Sequence, residues 1–193
     1  MPLNDAEANW TPLARLWVLH PGAGLQQPPW VWWTSAWLHG SAAHLWGNLG
    51  GLALLAWMGH AVRVDRGCAI VWTLCWPLAQ LGLLWQPELP RYIGLSGVLH
   101  AGLTVVALHT LFGRARPLPR WLGGALMLGL VAKVLMENPG APGLIPSPGW
   151  AITVAPWVHL CGVVAAATLM CLWRLGATLR KHRLGAGAHR TLI

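Results

Sequence analysis

Long apolar runs alternate along this chain with short basic or Pro/Gly-rich segments. Charge-free stretches cover residues 38–59, 68–86, 93–113 and 151–173, and a shorter run at 121–136 is interrupted by Lys133. Each is close to the roughly 20 residues that a bilayer-crossing helix requires. In hydrocarbon the backbone must satisfy its own polar groups, so runs of this kind become helices. The pattern predicts an all-α, polytopic transmembrane helical bundle with five clear spans. Ahead of them, residues 1–37 hold only a short apolar piece at 13–19, a Pro/Gly-rich stretch and Trp30-Val31-Trp32-Trp33. Seven or eight apolar residues cannot cross a membrane. Acids rather than bases precede them, which is wrong for a signal peptide. The tryptophans suit an interfacial belt. The expected organisation is an outer or interfacial segment at 1–37, a membrane core at 38–175 and a basic tail at 176–193.

Composition sharpens this reading. Of 193 residues 55% are hydrophobic and only 9% charged, against about 25% charged in an ordinary soluble domain. Disorder, a coiled coil and a collagen-like chain are excluded, and so few charges cannot cover a soluble surface. The net charge of +8 does not form a nucleic-acid stripe. Its bases cluster between spans: Arg63 and Arg66; Arg114, Arg116 and Arg120; and Arg174, Arg180, Lys181, Arg183 and Arg190 in the tail. Basic loops stay in the cytoplasm. The loops near 87–92 and 137–150 hold only Arg91 and are placed outside, which also puts the start of the first span outside. Cys68, Cys75, Cys161 and Cys171 form no CxxC and sit in apolar runs, so they read as packing residues rather than as disulfides or a metal cage.

Polar residues within spans are costly and mark function. His44, Asn48, Ser96 and His159 stand out, all in the outer halves of their helices. His44 and Asn48 are four apart and share a face. Ser96 is expected about one turn inside its helix and His159 about two turns in from Ala151. Small-xxx-small pairs allow the close packing that convergence requires: Gly97 with Ala101, Gly162 with Ala166, and Gly47 with Gly51.

The residue types suggest acyl transfer. A serine hydroxyl becomes a nucleophile when a base takes its proton, and a neutral histidine can do so near pH 7. The oxyanion then needs donors, which an amide and an imidazole can supply. No Asp or Glu is read at the depth of His159, so the expectation is a Ser96–His159 dyad rather than a triad. His39, His44, His100 and His159 could in principle bind zinc, but there is no HExxH and no nearby carboxylate base. No metal and no cofactor is expected. His44 and Asn48 have a blander reading as helix-joining hydrogen bonds worth about 0.6–2 kcal/mol. Lys133 and Glu137 can pair at i,i+4 in a structural or substrate-tail-contacting role. His60, His109, His182 and His189 fall toward the cytoplasmic side, away from the chemistry.

His39-x4-His44-x3-Asn48, Gly94-Leu95-Ser96-Gly97 and His159-x2-Gly162-x3-Ala166, in that order on three helices, resemble the rhomboid intramembrane serine proteases. The resemblance covers residues 30–173. It implies Ser96 as nucleophile, His159 as general base, and His44 and Asn48 as oxyanion-hole side chains helped by the Ser96 N–H. His39, Gly94, Gly97, His100 and Gly162 would support them. Gly94-Leu95-Ser96-Gly97-Val98-Leu99-His100, with Pro87-Glu88-Leu89, Tyr92, Lys133 and Glu137, looks like the rhombosortase branch. That branch implies a bacterial inner-membrane enzyme with a cytoplasmic C-terminus and an active site opening outward. Its substrates would be exported proteins with a C-terminal Gly-Gly, hydrophobic helix and basic tail; the bilayer is the other partner, and no nucleic acid is involved.

The chain departs from that family in two places. Rhomboids have six core spans against five here, the first being short or missing. His100 stands four residues after the serine, where many rhomboids carry a tyrosine packed on the catalytic histidine. The alternatives are a general rhomboid protease with other membrane substrates and a catalytically silent rhomboid-like protein that binds membrane helices. A transporter would need broken helices and acids at mid-membrane, which this pattern lacks.

Overall fold

A computed structural model describes residues 11–113, 117–141, 143–147 and 152–190, with side chains to residue 179 except at 146, 147, 152 and 153. Arg114, Arg116 and the side chains of the basic tail beyond 179 therefore lie outside the described residues. Among the described residues the fold is all-α apart from one three-residue strand pair. Its elements are α1 (Pro12–Trp17), α2 (Val31–Thr34), α3 (Ala42–Ala61), α4 (Arg66–Leu81), α5 (Ser96–Phe112), α6 (Arg120–Met136), β1 (Ile145–Ser147), β2 (Ile152–Val154) and α7 (Pro156–Arg190). The strands pair antiparallel, Ile145 opposite Val154.

Five long helices thus occupy the five apolar runs, with shifted boundaries. Among the described residues two helical stretches are long and apolar enough to cross a membrane: Arg66–Trp85, which includes a 3-10 turn after α4, and Pro156–Leu179 within α7. Helix α5 is apolar but has 17 residues. The shifts have local causes. Ser41 in extended backbone accepts from the His44 N–H at 3.1 Å, so α3 starts at Ala42 rather than at Leu38. Such a cap satisfies a donor that the first turn leaves orphaned. Asp65 caps α4 in the same way, accepting from the Cys68 N–H at 2.8 Å. Residues 152–154 are extended, and α7 begins at Pro156, where a missing N–H costs nothing.

Helix α5 is central and packs against α3, α4, α6 and α7. Its buried residues, among them Val98, Ala101, Thr104, Val105 and Ala107, run all the way round it, as expected of a helix without a polar face. Two glycines set its distance from α7. A Cβ on Gly162 would strike the Gly97 carbonyl oxygen, and one on Gly97 would sit 2.8 Å from Val158 Cγ2. The small-residue faces predicted for these helices therefore form. On α3, Gly51 meets Leu99 but Gly47 meets nothing, so that face is used only in part. Gly162→Val is expected to overpack this crossing, costing about 1–3 kcal/mol, and to part α5 from α7; a lowered melting temperature together with lost Ser96 reactivity would register it.

Around the N-terminal ends of α5 and α7, the core holds Leu19, Trp32, Leu83, Leu89, Tyr92, Ala155 and Val158. Residues 11–37 contribute to it with helices of six and four residues and 3-10 turns. Trp32 is buried there while Trp30 and Trp33 are exposed, so the tryptophan cluster is divided between core and surface. The cysteines are similarly divided: Cys68 and Cys75 are buried, whereas Cys171 is exposed. Large apolar side chains also face outward along the long helices, including Trp46, Leu54, Trp57, Leu74, Leu128, Leu135 and Leu172.

Candidate active site

The serine is held by the loop that precedes it. Leu19 and Tyr92 exchange backbone hydrogen bonds of 3.3 and 2.7 Å, the Tyr92 hydroxyl donates to the Gly94 carbonyl at 2.9 Å, and the Gly94 N–H donates to the Ser35 carbonyl at 2.9 Å. Gly94 has φ +120°, a conformation that side chains resist. Ser96 then opens α5 as its first residue, not a turn inside it. His159 lies in the first turn of α7, and His44 in the first turn of α3. All three are helix-start residues, which is why they reach a common depth.

His159 is buried, and its Nε2 lies 2.9 Å from Ser96 Oγ. Its Nδ1 lies 2.7 Å from Glu137 Oε2. This contradicts the expected dyad: a carboxylate does stand behind the histidine. Glu137 is the C-cap of α6, and the small cluster of Leu130, Val134 and Val163 brings that end of α6 against α7. The expected i,i+4 ion pair is present, with Lys133 Nζ 2.6 Å from Glu137 Oε1. Lys133 also reaches His100 Nε2 at 2.9 Å, and His100 Nδ1 lies 2.7 Å from the Ser96 carbonyl oxygen. The His100 ring stacks on His159 with centroids 4.0 Å apart and planes 9° from parallel.

These contacts form a ring that leaves Ser96 by its carbonyl and returns to its hydroxyl. Donor chemistry fixes the protons. An ammonium only donates, so His100 accepts at Nε2 and donates from Nδ1–H to the Ser96 carbonyl. A carboxylate only accepts, so His159 donates from Nδ1–H to Glu137. That leaves the Nε2 lone pair of His159 facing the Ser96 hydroxyl, the tautomer a general base needs. Burial alone would raise the Glu137 pKa, but hydrogen bonds from His159 and Lys133 outweigh it and bring it down to about 2 from the ordinary 4.5. A depressed carboxylate stabilises the fold above its unfolded pKa. Stability is expected to be lost as pH falls from about 4.5 toward 2, and Glu137→Gln to flatten that limb of a melting-temperature profile.

On the other side of the serine loop, a Cβ on Gly94 would sit 2.8 Å from His44 Nε2 and 3.8 Å from Asn48 Nδ2. The bare face of Gly94 is what admits both side chains. Asn48 is buried and its Nδ2 has no hydrogen-bond partner. An unspent buried donor is expensive, and it suits a site whose acceptor arrives only with the substrate. His39 packs edge-on against His44, centroids 4.9 Å apart. Five residues apart on one helix, the two rings would lie on different faces, but His39 precedes the Ser41 cap and is not on the helix.

His100, Glu137 and His159 also offer ligand atoms within 4.8 Å of one another. The Lys133 ammonium bonds both His100 and Glu137, so a cation would have to displace a positive charge already in place. The signal for Glu137 was in the sequence: an acid four residues after a lysine that interrupts an apolar run. Its meaning depended on which helix end meets His159. No family model, no curated protein and no solved structure matches this chain.

Proposed function

We propose that this chain is a rhomboid-type intramembrane serine endopeptidase of the rhombosortase branch, working through Ser96, His159 and Glu137. The observation that carries the reading is the 2.9 Å contact between Ser96 Oγ and His159 Nε2, backed by Glu137 on Nδ1. All five long helices span the inner membrane of a bacterium, with α3 starting outside and the basic tail in the cytoplasm. The outward-facing Trp and Leu side chains support this, since contiguous apolar surface of that extent is a liability in water and is satisfied by lipid.

The substrate is a C-terminal anchor helix of an exported protein, unwound locally to present an extended bond. Ser96 Oγ attacks the scissile carbonyl as its proton passes to His159 Nε2. Glu137 holds the imidazole in place and stabilises the imidazolium. Asn48 Nδ2, His44 and the Ser96 N–H receive the oxyanion. The imidazolium protonates the leaving amine, and water resolves the acyl-enzyme with His159 again as base. No cofactor or metal takes part.

Asn48→Ala is expected to lower kcat by about 10²–10³-fold, the loss that follows removal of one oxyanion donor, with the melting temperature little changed. An unchanged rate would reduce Asn48 to a helix-packing residue. The function itself is tested by co-expression with an exported reporter bearing a Gly-Gly, hydrophobic-helix, basic C-terminal tail. Cleavage that disappears with Ser96→Ala supports both the chemistry and the branch. Cleavage of other membrane anchors but not of this reporter would replace the branch with a general rhomboid protease.

A further inference from the structure

A second cluster of chemically competent side chains lies at the opposite end of α5. Ser96 opens that helix and His109 stands in its last turn, roughly 20 Å away at 1.5 Å per residue. Cys68, in the first turn of α4, places its Sγ 3.3 Å from His109 Nδ1. Asp65, which caps the same turn, brings a carboxylate oxygen into the group, and the three ligand atoms lie within 4.8 Å of one another. They border a cavity of about 370 Å³ that is also lined by Arg63, Met170 and Arg174.

We propose that Asp65, Cys68 and His109 bind one thiolate-seeking transition-metal ion, Zn²⁺ foremost, and so clip the start of α4 to the end of α5. The distances suit it. Tetrahedral zinc, with sulfur at about 2.3 Å and nitrogen at about 2.0 Å, spans a sulfur–nitrogen edge of roughly 3.5 Å, against the 3.3 Å found. One Asp65 oxygen caps the Cys68 N–H at 2.8 Å, which leaves the other carboxylate oxygen as the ligand, and the cavity leaves room for water as a fourth.

His109 is 5% exposed and is presented to the cluster through Nδ1, the nitrogen that faces Cys68 Sγ. The surroundings select the ion. Arg63 and Arg174 on the cavity wall oppose a hard cation held by charge alone, such as Mg²⁺ or Ca²⁺. A metal–thiolate bond adds what charge does not supply, and a deprotonated Cys68 with an ionised Asp65 brings two negative charges to balance the dication. Binding releases the Cys68 thiol proton to solvent and involves no redox step.

The test is a Co²⁺ titration of the metal-stripped full-length protein in detergent micelles. One equivalent is expected to give the intense visible bands of tetrahedral cobalt and a thiolate-to-cobalt charge-transfer band, both bleached by Zn²⁺. Cys68→Ala should abolish the charge-transfer band, and His109→Ala should weaken binding by about tenfold or more. Glu137→Gln should leave both bands, since the Glu137 cluster has no thiol. A charge-transfer band that survives Cys68→Ala, or octahedral cobalt alone, overturns the proposal. X-ray absorption of the Zn²⁺-loaded unmodified chain answers without any variant: a sulfur shell at about 2.3 Å is expected, and a shell of nitrogen and oxygen only overturns it.

Discussion

Ser96→Ala is expected to remove turnover by a factor on the order of 10⁶, the loss that follows deletion of the nucleophile in a soluble serine protease, while the melting temperature stays close to that of the parent. The side chain lost is one hydroxyl at a helix start, and the loop that holds it is secured by Tyr92, Leu19 and Ser35 rather than by the hydroxyl itself. The fold therefore has little reason to move. Active-site labelling with a fluorophosphonate gives a readout independent of substrate identity: the parent should label on Ser96 and the variant should not label at all. Labelling of the parent elsewhere, or cleavage near parental rates by the variant, sinks the mechanism.

Glu137→Gln is expected to lower kcat by about 10⁴-fold, the scale seen when the carboxylate behind a catalytic histidine becomes an amide. The reason is a proton in the wrong place. Lys133 bonds one oxygen of Glu137 at 2.6 Å, so the glutamine carbonyl stays with Lys133 and its NH₂ turns to His159. An amide NH₂ donates, which makes His159 Nδ1 the acceptor and moves the imidazole proton to Nε2. That nitrogen then meets the Ser96 hydroxyl as a donor and cannot take its proton. Substrate binding is untouched by this exchange, so KM should change far less than kcat. A loss below about tenfold would mean that Ser96 and His159 suffice as a dyad, with Glu137 serving only its ion pair with Lys133.

The difference between those two outcomes marks where sequence reading reached its limit. Lys133 and Glu137 were legible as an i,i+4 pair because helical periodicity is local. That Glu137 also faces His159, 22 residues later, depends on how α6 and α7 meet, and the intervening residues carry no pattern that sets it. The same holds for His39 and His44. Helical spacing separates them, but the Ser41 cap starts α3 after His39 and the rings touch. Gly47 and Gly51 looked equivalent in sequence, and only Gly51 has a neighbour.

What the sequence determined by itself is the helical character of the five apolar runs, the placing of Ser96, His159, His44 and Asn48 toward one end of their helices, and the glycines that let α5 and α7 approach. Each follows from hydropathy, side-chain volume or spacing within a single segment. What only the tertiary structure decided is the ring from Ser96 through His100, Lys133, Glu137 and His159 back to Ser96, and the grouping of Asp65, Cys68 and His109 at the far end. Both join residues from different helices, and hydrogen bonds act over about 3 Å. A shift of one helix by a single residue is enough to break them.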